Sequence, residues 1–175
     1  MKMNKPVFLI GPMGCGKTYW GLRMAARLGV PYYDLDVMIV EKKGISIPEI
    51  FSQFGEATFR LWERNILHTC ASLGSCIFAS GGGTPCFFDN MAWMNSNGKT
   101  IYLKTSATVL AERLLQERQT RPLLSQIAES ALESYLSQLL TTRDPYYMLA
   151  QVMIEQEGDP SVFHEKLLAV ITSEN

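Results

Sequence analysis

The sequence is poor in the residues that build metal sites and disulfide frameworks. Its 175 residues include only two histidines and four cysteines, at positions 15, 70, 76 and 86. No two cysteines form a CxxC pair, and their spacing is irregular. This pattern argues against a zinc site and favours thiols that stay reduced.

Long apolar runs and a strong charge imbalance are also missing. Lys2 and Lys5 lead straight into a short apolar run, without the longer apolar segment of a signal peptide or membrane anchor. The formal net charge is −1, which gives no long-range attraction to nucleic acid or membrane. We therefore expect a cytoplasmic protein that binds neither, and any basic site must be local.

Short apolar segments alternate with helical patterns along the whole chain. The spacing predicts helices at 36–43, at 129–142, and from 48 to 73 with an interruption at Gly55. It also predicts strands at 6–11, 31–34, 76–80, 99–105 and 151–156 and further helices at 17–28, 109–118 and 160–171. This alternation predicts a single α/β domain over 1–175, with a parallel sheet covered by helices on both faces and ligands at the carboxyl ends of the strands.

Residues 11–18, GPMGCGKT, match the phosphate-loop pattern G-x-x-x-x-G-K-[ST] in full. Gly11 and Gly16 let backbone N–H groups surround phosphate oxygens, and a predicted strand and helix flank the loop as the pattern requires. Lys17 is expected to reach the β- and γ-phosphates, and Thr18 to ligate Mg²⁺. The loop predicts a nucleoside triphosphate but does not identify the acceptor.

Two acidic residues, Asp34 and Asp36, follow the second predicted strand. Phosphoryl transfer to an alcohol uses one acidic group near the metal and another that accepts the hydroxyl proton. Aspartate is also a favoured N-cap, so both residues fit a structural role at the start of the next helix. The phosphate loop nearby favours the functional interpretation.

Three arginines each have two interpretations. Arg60 stands three residues before Glu63, so it forms either an ordinary helix pair or an oriented carboxylate clamp. Arg121 lies between two helices, as a solvated loop residue or as a lid residue that stabilises the transferring phosphoryl group. Arg143 precedes an Asp-Pro pair, which predicts that the helix ends there, and it either complements the helix dipole or binds substrate.

The stretch ASGGGTPC at 79–86 contains three consecutive glycines. A second phosphate cradle is disfavoured because no lysine follows and Pro85 soon interrupts the backbone donors. Two interpretations remain: a flexible loop, or bare backbone that closely approaches a flat hydroxylated ring.

Taken together, the motifs resemble the shikimate kinase family. The matching stretches are GPMGCGKT, DLD at 34–36, FRLWE at 59–63, SGGGTP at 80–85, RPLL at 121–124 and RDPYY at 143–147. The resemblance implies a nucleoside-monophosphate-kinase-like P-loop fold, a three-layer αβα sandwich with strand order 2-3-1-4-5. It also implies a mobile lid at about 117–127, a substrate-binding region at about 34–63 and a monomeric state.

The same resemblance implies transfer of the ATP γ-phosphoryl group to the 3-hydroxyl of shikimate, in aromatic amino acid biosynthesis. Asp36, Lys17 and Arg121 would be catalytic, and Mg²⁺ would lie at Thr18 and, through water, at Asp34. The residues implied in ATP binding are Gly14, Cys15, Gly16, Lys17, Thr18, Tyr19, Arg113 and Arg121. Those implied in shikimate binding are Asp36, Arg60, Gly81, Gly82, Gly83 and Arg143.

Two positions depart from the family pattern, and other functions remain open. Tyr19 stands where the family usually carries a second hydroxyl residue, and Pro12 is unusual in the loop. Another small-molecule kinase of this fold, such as a gluconate or nucleoside-monophosphate kinase, would share the phosphate loop. A non-catalytic nucleotide-binding module is expected to lack Lys17 or Asp36, and both are present.

Overall fold

The chain forms one five-stranded parallel sheet with the strand order β2-β3-β1-β4-β5. The structure is a computed structural model, and it describes residues 5–117, 127–156 and 158–173. The strands are β1 (Val7–Ile10), β2 (Tyr32–Asp34), β3 (Ile77–Ala79), β4 (Lys99–Lys104) and β5 (Val152–Glu155). The predicted α/β class and strand order are confirmed.

The central strand is β1, with β3 on one side and β4 on the other. Val7 is in register with Ile77 of β3 and with Lys99 of β4. Because every pairing is parallel, the carboxyl ends of all five strands meet at one edge of the sheet. The segments that follow β1, β2 and β3 carry the predicted motifs, so this edge is where a ligand site is expected.

Seven α-helices cover the sheet within the described ranges. They are α1 (Lys17–Leu28), α2 (Leu35–Lys43), α3 (Ile47–Leu67), α4 (Asn90–Asn97), α5 (Ala107–Glu117), α6 (Glu129–Tyr147) and α7 (Pro160–Thr172). Two short 3₁₀ turns span His68–Leu73 and Thr84–Cys86. None of the described helices is both long and apolar enough to cross a membrane.

Alternate residues of β1 point to opposite faces of the sheet, as strand geometry requires. Val7 and Leu9 belong to one apolar core, and Phe8 and Ile10 to the other. The first core is completed from α1, α5, α6 and α7, by Trp20, Met24, Leu110, Leu114, Leu132, Leu136, Phe163 and Leu167. The second is completed mainly from α2, α3 and α4, by Leu35, Ile39, Ile50, Phe59, Ile66, Met91 and Met94. These two cores make the three-layer sandwich.

Helix α3 is kinked at the predicted position. Gly55 adopts φ 75° and ψ 170° inside the helix, a backbone conformation that is essentially restricted to glycine. The helix starts with a capping box, in which Ser46 and Glu49 each accept the other's backbone N–H. The second half of α3, after the kink, carries Arg60.

The prediction that the helix from 129 ends before Pro145 is wrong, because α6 continues to Tyr147. Tertiary contacts on its last turn outweigh the hydrogen bond that proline removes. The Asp144 carboxylate accepts the Tyr102 hydroxyl at 2.7 Å, and Tyr147 is fully buried. The helical bond from the Met148 N–H to the Asp144 carbonyl is kept, at 2.8 Å.

Helix α4, at Asn90–Asn97, was not predicted, since its sequence NMAWMNSN has no clear apolar spacing. Arg121 and nearly all of the predicted lid lie outside the described residues. The single-domain organisation, the lid at 117–127 and the substrate-binding region at 34–63 stay predictions.

Candidate active site

The phosphate loop joins β1 to α1 and directs backbone N–H groups toward the carboxyl edge of the sheet. Gly14 and Gly16 have φ values of 78° and 85°, which glycine adopts most readily. Gly16 is also the N-cap of α1, and as a glycine it has no side chain with which to cap this end of the helix. The amides of the first turn are therefore available to an anion, which the partial positive charge of the helix terminus also favours.

Lys17 folds back over the loop that precedes it. Its Nζ donates to the carbonyl oxygens of Gly11 and Pro12, each at 2.8 Å, and lies 3.7 Å from the Cys15 Sγ. An ammonium group has three N–H donors, and the thiol is the weakest of these three acceptors. A phosphate oxygen can therefore replace the thiol while both carbonyl bonds remain.

Asp34 is both a helix cap and a neighbour of the phosphate loop. Its Oδ1 accepts the N–H groups of Asp36 at 3.0 Å and Val37 at 3.4 Å, so the capping interpretation is right for this residue. Its Oδ2 accepts the hydroxyls of Tyr32 at 3.2 Å and Thr18 at 3.4 Å. Burial raises the pKa of Tyr32 above its ordinary value, so this hydroxyl remains a donor at neutral pH.

The Thr18 hydroxyl and the Asp34 carboxylate are a donor pair that suits Mg²⁺. Mg²⁺ prefers hard oxygen ligands, and it usually takes only one or two from the protein and the rest from water and phosphates. Across the described ranges, no group of three or more His, Cys, Asp or Glu residues is placed to hold a metal ion by itself. The pair therefore fits a metal held mostly by a nucleotide.

Asp36 lies in the first turn of α2, with its carboxylate against the glycine turn. A Cβ atom on Gly81 would stand 3.0 Å from Asp36 Oδ1 and 3.0 Å from Glu63 Oε1. Burial raises the pKa of Asp36 to about 6, with the carboxylates of Asp34 and Glu63 adding to the shift and two nearby cations opposing it. A carboxylate with such a pKa is a competent proton acceptor near neutral pH.

The glycine turn at 81–83 packs directly against the two arginines that the sequence singles out. A Cβ atom on Gly83 would lie 2.7 Å from Arg60 Nη2, and one on Gly82 would lie 3.5 Å from Arg143 Nη1. Real Cβ atoms essentially never approach as closely as the first of these distances. A side chain at position 83 would therefore displace the Arg60 guanidinium, whatever ligand lies beyond the turn.

Arg60 is buried, at 8% exposed, and two carboxylates orient it. Its Nη1 donates to Glu63 at 2.9 Å, which confirms the predicted pair, while Nε and Nη2 donate to Glu56 at 3.2 and 3.1 Å. Glu63 also accepts the Thr84 hydroxyl at 2.7 Å, and the guanidinium lies 4.1 Å from the centre of the Phe87 ring. A guanidinium has five N–H donors, so Nη1 and Nη2 each retain one for a ligand.

Arg143 approaches the same turn from α6. One helical turn further along, the buried Tyr147 donates its hydroxyl to the carbonyl of Gly82. Burial raises the pKa of Cys86, and the charges of Arg143 and Arg60 both oppose that shift. The glycine turn thus lies beside both arginines, with Gly83 next to Arg60 and Gly82 next to Arg143.

A cavity of about 760 Å³ lies between the phosphate loop, the two aspartates and the glycine turn. Its lining includes Lys17 and Thr18 of the phosphate loop, Asp34, Asp36 and, from α5, Arg113, together with Gly81 and Gly82. Its volume falls within the range of about 300–1,000 Å³ that is usual for ligand sites. The lining does not include Arg60, Gly83, Arg143 or the buried Cys15, all of which the structure describes.

Comparison with known proteins now decides the family. The family model described as shikimate kinase matches residues 13–172. The chain belongs to the shikimate kinase family. It is 40% identical over 153 residues to the shikimate kinase of Parabacteroides distasonis, covering 87% of this chain and 88% of that protein.

Solved structures of shikimate kinases have the same fold as this chain. The Bacteroides thetaiotaomicron enzyme superposes with a TM-score of 0.91 at 37% identity, covering 97% of this chain and 99% of that one. The Acinetobacter baumannii enzyme, solved in complex with shikimate, gives 0.86 at 33% identity, covering 97% and 94%.

The two departures from the shikimate kinase pattern have simple structural outcomes. The Tyr19 hydroxyl accepts a hydrogen bond from Arg23 at 2.8 Å, one turn along α1, and its ring packs edge-on against Trp20. The hydroxyl is thus held away from the phosphate loop, and only the backbone N–H of Tyr19 remains for a phosphate. Pro12 lacks an N–H, but its carbonyl is one of the two that accept from Lys17.

Sequence reasoning missed several residues that hold the site together. Glu56 stands one helical turn before Arg60, so spacing alone offered a signal for it. Tyr147 lies within the motif RDPYY, although nothing there indicates its bond to Gly82. Gln156, directly after β5, carries no recognisable signal in the sequence. Arg121, a predicted catalytic residue, lies outside the described residues.

Proposed function

We propose that this chain transfers the γ-phosphoryl group of ATP to the 3-hydroxyl of shikimate, giving 3-phosphoshikimate and ADP in aromatic amino acid biosynthesis. The observation that carries the proposal is the cavity in which the phosphate loop and Asp36 face the same space. Membership in the shikimate kinase family agrees with this chemistry.

The ATP phosphates lie on the backbone amides of residues 14–19. Lys17 turns its third N–H from the Cys15 thiol to a phosphate oxygen, which leaves its carbonyl bonds intact. Arg113, which lines the cavity from α5, packs on the nucleotide beyond the phosphates. Mg²⁺, with Thr18 as ligand and Asp34 reached through water, would neutralise phosphate charge and polarise the γ-phosphoryl group when bound.

The carboxylate of shikimate is held on the acceptor side by Arg60 and Arg143. Support comes from their convergence on the glycine turn and from the two N–H groups of Arg60 that its partners Glu56 and Glu63 leave free. Backbone groups of Gly81–Gly83 contact the ring. Anchoring the carboxylate at one edge of the ring fixes the opposite edge, with its hydroxyls, toward Asp36.

Asp36 accepts the proton of the 3-hydroxyl as its oxygen attacks the γ-phosphorus. The pKa of about 6 leaves its carboxylate ionised at neutral pH and ready to take a proton. Lys17 stabilises the charge that develops on the transferring group, and Arg121 adds to this from the lid. Positioning and electrostatics supply most of the rate enhancement, as is general for phosphoryl transfer.

The proposal includes a monomeric, cytoplasmic enzyme that binds neither nucleic acid nor membrane. The support for the last point is the formal net charge of −1, which gives no long-range attraction to polyanions or anionic lipid. Gel filtration with light scattering tests the monomer, for which a mass near 19.7 kDa is expected.

A coupled assay of ADP release tests the acceptor. Purified protein with Mg²⁺ and ATP is offered shikimate, gluconate or a nucleoside monophosphate in parallel. We expect release that depends on shikimate and exceeds release with the other acceptors by at least about a hundredfold, since they lack a ring carboxylate for the arginine pair. Equal rates with gluconate would favour the alternative kinase, and no release with any acceptor would favour a binding module.

A further inference from the structure

Gln156, directly after β5, joins four segments around the nucleotide side of the cavity. Its Nε2 donates to the carbonyl of Cys15 in the phosphate loop, at 2.5 Å, and to the Thr105 hydroxyl after β4, at 3.0 Å. Its Oε1 accepts from Arg113 Nη1 of α5 at 3.2 Å and from Trp20 Nε1 of α1 at 3.4 Å. One amide thus links two helices, a strand end and the loop.

The hydrogen bonds leave no choice in the orientation of this amide. Both partners of Nε2 are oxygen acceptors, and both partners of Oε1 are N–H donors. A flipped amide would point donors at donors. The backbone N–H of Gln156 also donates to the Lys104 carbonyl at 2.9 Å, which anchors the residue to the sheet. The side chain is therefore a fixed link between the sheet and the groups beside the cavity.

Arg113 is the partner of Gln156 that reaches the ligand space. It lines the cavity, and its Nη1 is shared between the Gln156 side chain and the Gly14 carbonyl, the latter at 3.4 Å. Gln156 supplies the closer of these two bonds, so its loss removes the shorter of the two contacts that hold Nη1.

The phosphate loop receives a second constraint from the same amide. The Cys15 carbonyl that Gln156 holds lies between Gly14 and Gly16, at the point where the loop enters α1. A Cβ atom on Gly16 would meet Trp20 at 3.1 Å and Gln156 Oε1 at 3.8 Å. The Trp20–Gln156 bond thus lies directly beneath the N-cap of α1, whose amides face the cavity.

We propose that Gln156 is a positioning residue for the nucleotide, because it fixes the Arg113 guanidinium and the phosphate loop relative to each other. The inference rests on the proposed function, in which Arg113 packs on the nucleotide. Gln156 itself does not line the cavity, so it acts through its partners. Its loss impairs nucleotide binding and leaves the acceptor side, on the far side of β1, unaffected.

Gln151 offers a matched control at the opposite end of β5. Its side chain accepts from the Thr100 N–H at 3.2 Å and donates to the Asn95 carbonyl at 3.0 Å. It therefore joins β4, α4 and β5 much as Gln156 joins its own neighbours, but it is remote from the cavity. Gln151→Met reports the cost of removing a structural glutamine from this strand.

The test is calorimetric titration of the full chain with Mg²⁺–ADP and, separately, with shikimate. Gln156→Met is expected to weaken ADP binding about tenfold, since a charge-assisted hydrogen bond and the loop bond are lost. Its shikimate affinity should stay within about twofold of the wild type, and Gln151→Met should change neither affinity. Gln156→Asn, one methylene shorter, keeps an amide in place if the methionine variant fails to fold, and the same loss is expected.

A double-mutant cycle with Arg113→Met tests the route through Arg113. Arg113→Met alone should weaken ADP binding, and Gln156→Met should add less than about threefold in that background because the two act as one unit. The inference is overturned if Gln156→Met lowers the melting temperature but leaves ADP affinity unchanged, or if Arg113→Met does not affect ADP. Failure of the wild type to phosphorylate shikimate would instead overturn the proposed function.

Discussion

The Asp36→Asn variant allows two effects of the buried charge to be measured: its destabilisation of the fold and its contribution to turnover. The Asp36 pKa is raised from 3.8 to about 6, mainly by burial and then by Asp34 and Glu63. A pKa shift of one unit corresponds to about 1.4 kcal/mol, so ionised Asp36 lowers the free energy of unfolding by up to about 3 kcal/mol. Because the group is partly exposed, we expect Asp36→Asn to stabilise the protein by roughly 1–3 kcal/mol at pH 8.

The pH dependence of this effect follows from the direction of the pKa shift. The folded state holds the Asp36 proton up to about pH 6, whereas the unfolded state releases it near pH 4, so the wild type loses stability between these values. The advantage of Asp36→Asn should therefore be full above pH 6 and absent below about pH 4. Urea unfolding at pH 8 and pH 4 measures it, and Glu41→Gln, an exposed change on the same helix, is the control.

The same variant should lose most turnover while it still binds ADP and shikimate. In the wild type, kcat/KM for shikimate should fall about tenfold per pH unit below about pH 6, as Asp36 becomes protonated. Near-normal turnover of Asp36→Asn would refute the role of Asp36 as base. Equal stability of the variant and the wild type at pH 8 would refute the costly buried charge.

Three further substitutions test the acceptor side and the fold. Arg60→Lys keeps a charge beside Glu63 but loses the planar fork, so shikimate binding should weaken by about 1.5–3 kcal/mol with little change for ADP; calorimetry that finds equal shikimate affinity would refute the clamp. Gly83→Ala should raise the shikimate KM more than Gly82→Ala, because its Cβ would stand 2.7 Å from Arg60 Nη2 rather than 3.5 Å from Arg143 Nη1; the reverse order in steady-state kinetics would contradict this. Gly55→Ala should destabilise the fold by about 1–3 kcal/mol, because alanine disfavours the φ of 75° and ψ of 170° there; unchanged urea unfolding would count against the strain.

Local sequence patterns predicted the five strands and most of the helices. The alternation of short apolar strands with amphipathic helices is dictated by burial on both faces of the sheet, so the α/β class and the strand positions follow from the sequence alone. Pro145 suggested too early a helix end, because the sequence around it does not show that Tyr147, two residues further on, is buried. Helix α4 was missed because contacts with the second core, not its own periodicity, hold it in place.

In the candidate site, features carried by one continuous stretch could be predicted, and those assembled from separate elements could not. The phosphate loop is visible in sequence because its chemistry resides in one continuous stretch. The reason for the triple glycine could not be read from sequence, because it depends on Arg60 and Asp36, which reach the turn from other elements. Gln156 is the extreme case, since its partners lie on four segments and its own neighbours in sequence indicate none of them.

The position of the phosphate on the product tests the central claim most directly. Phosphorus–proton correlation NMR of the product formed from ATP, Mg²⁺ and shikimate identifies the ring carbon that carries the new ester. We predict a single product with the phosphate on the 3-oxygen, accompanied by one equivalent of ADP. A phosphate on another hydroxyl, or ADP formed with inorganic phosphate and unchanged shikimate, would contradict the alignment of the ring between the arginine pair and Asp36.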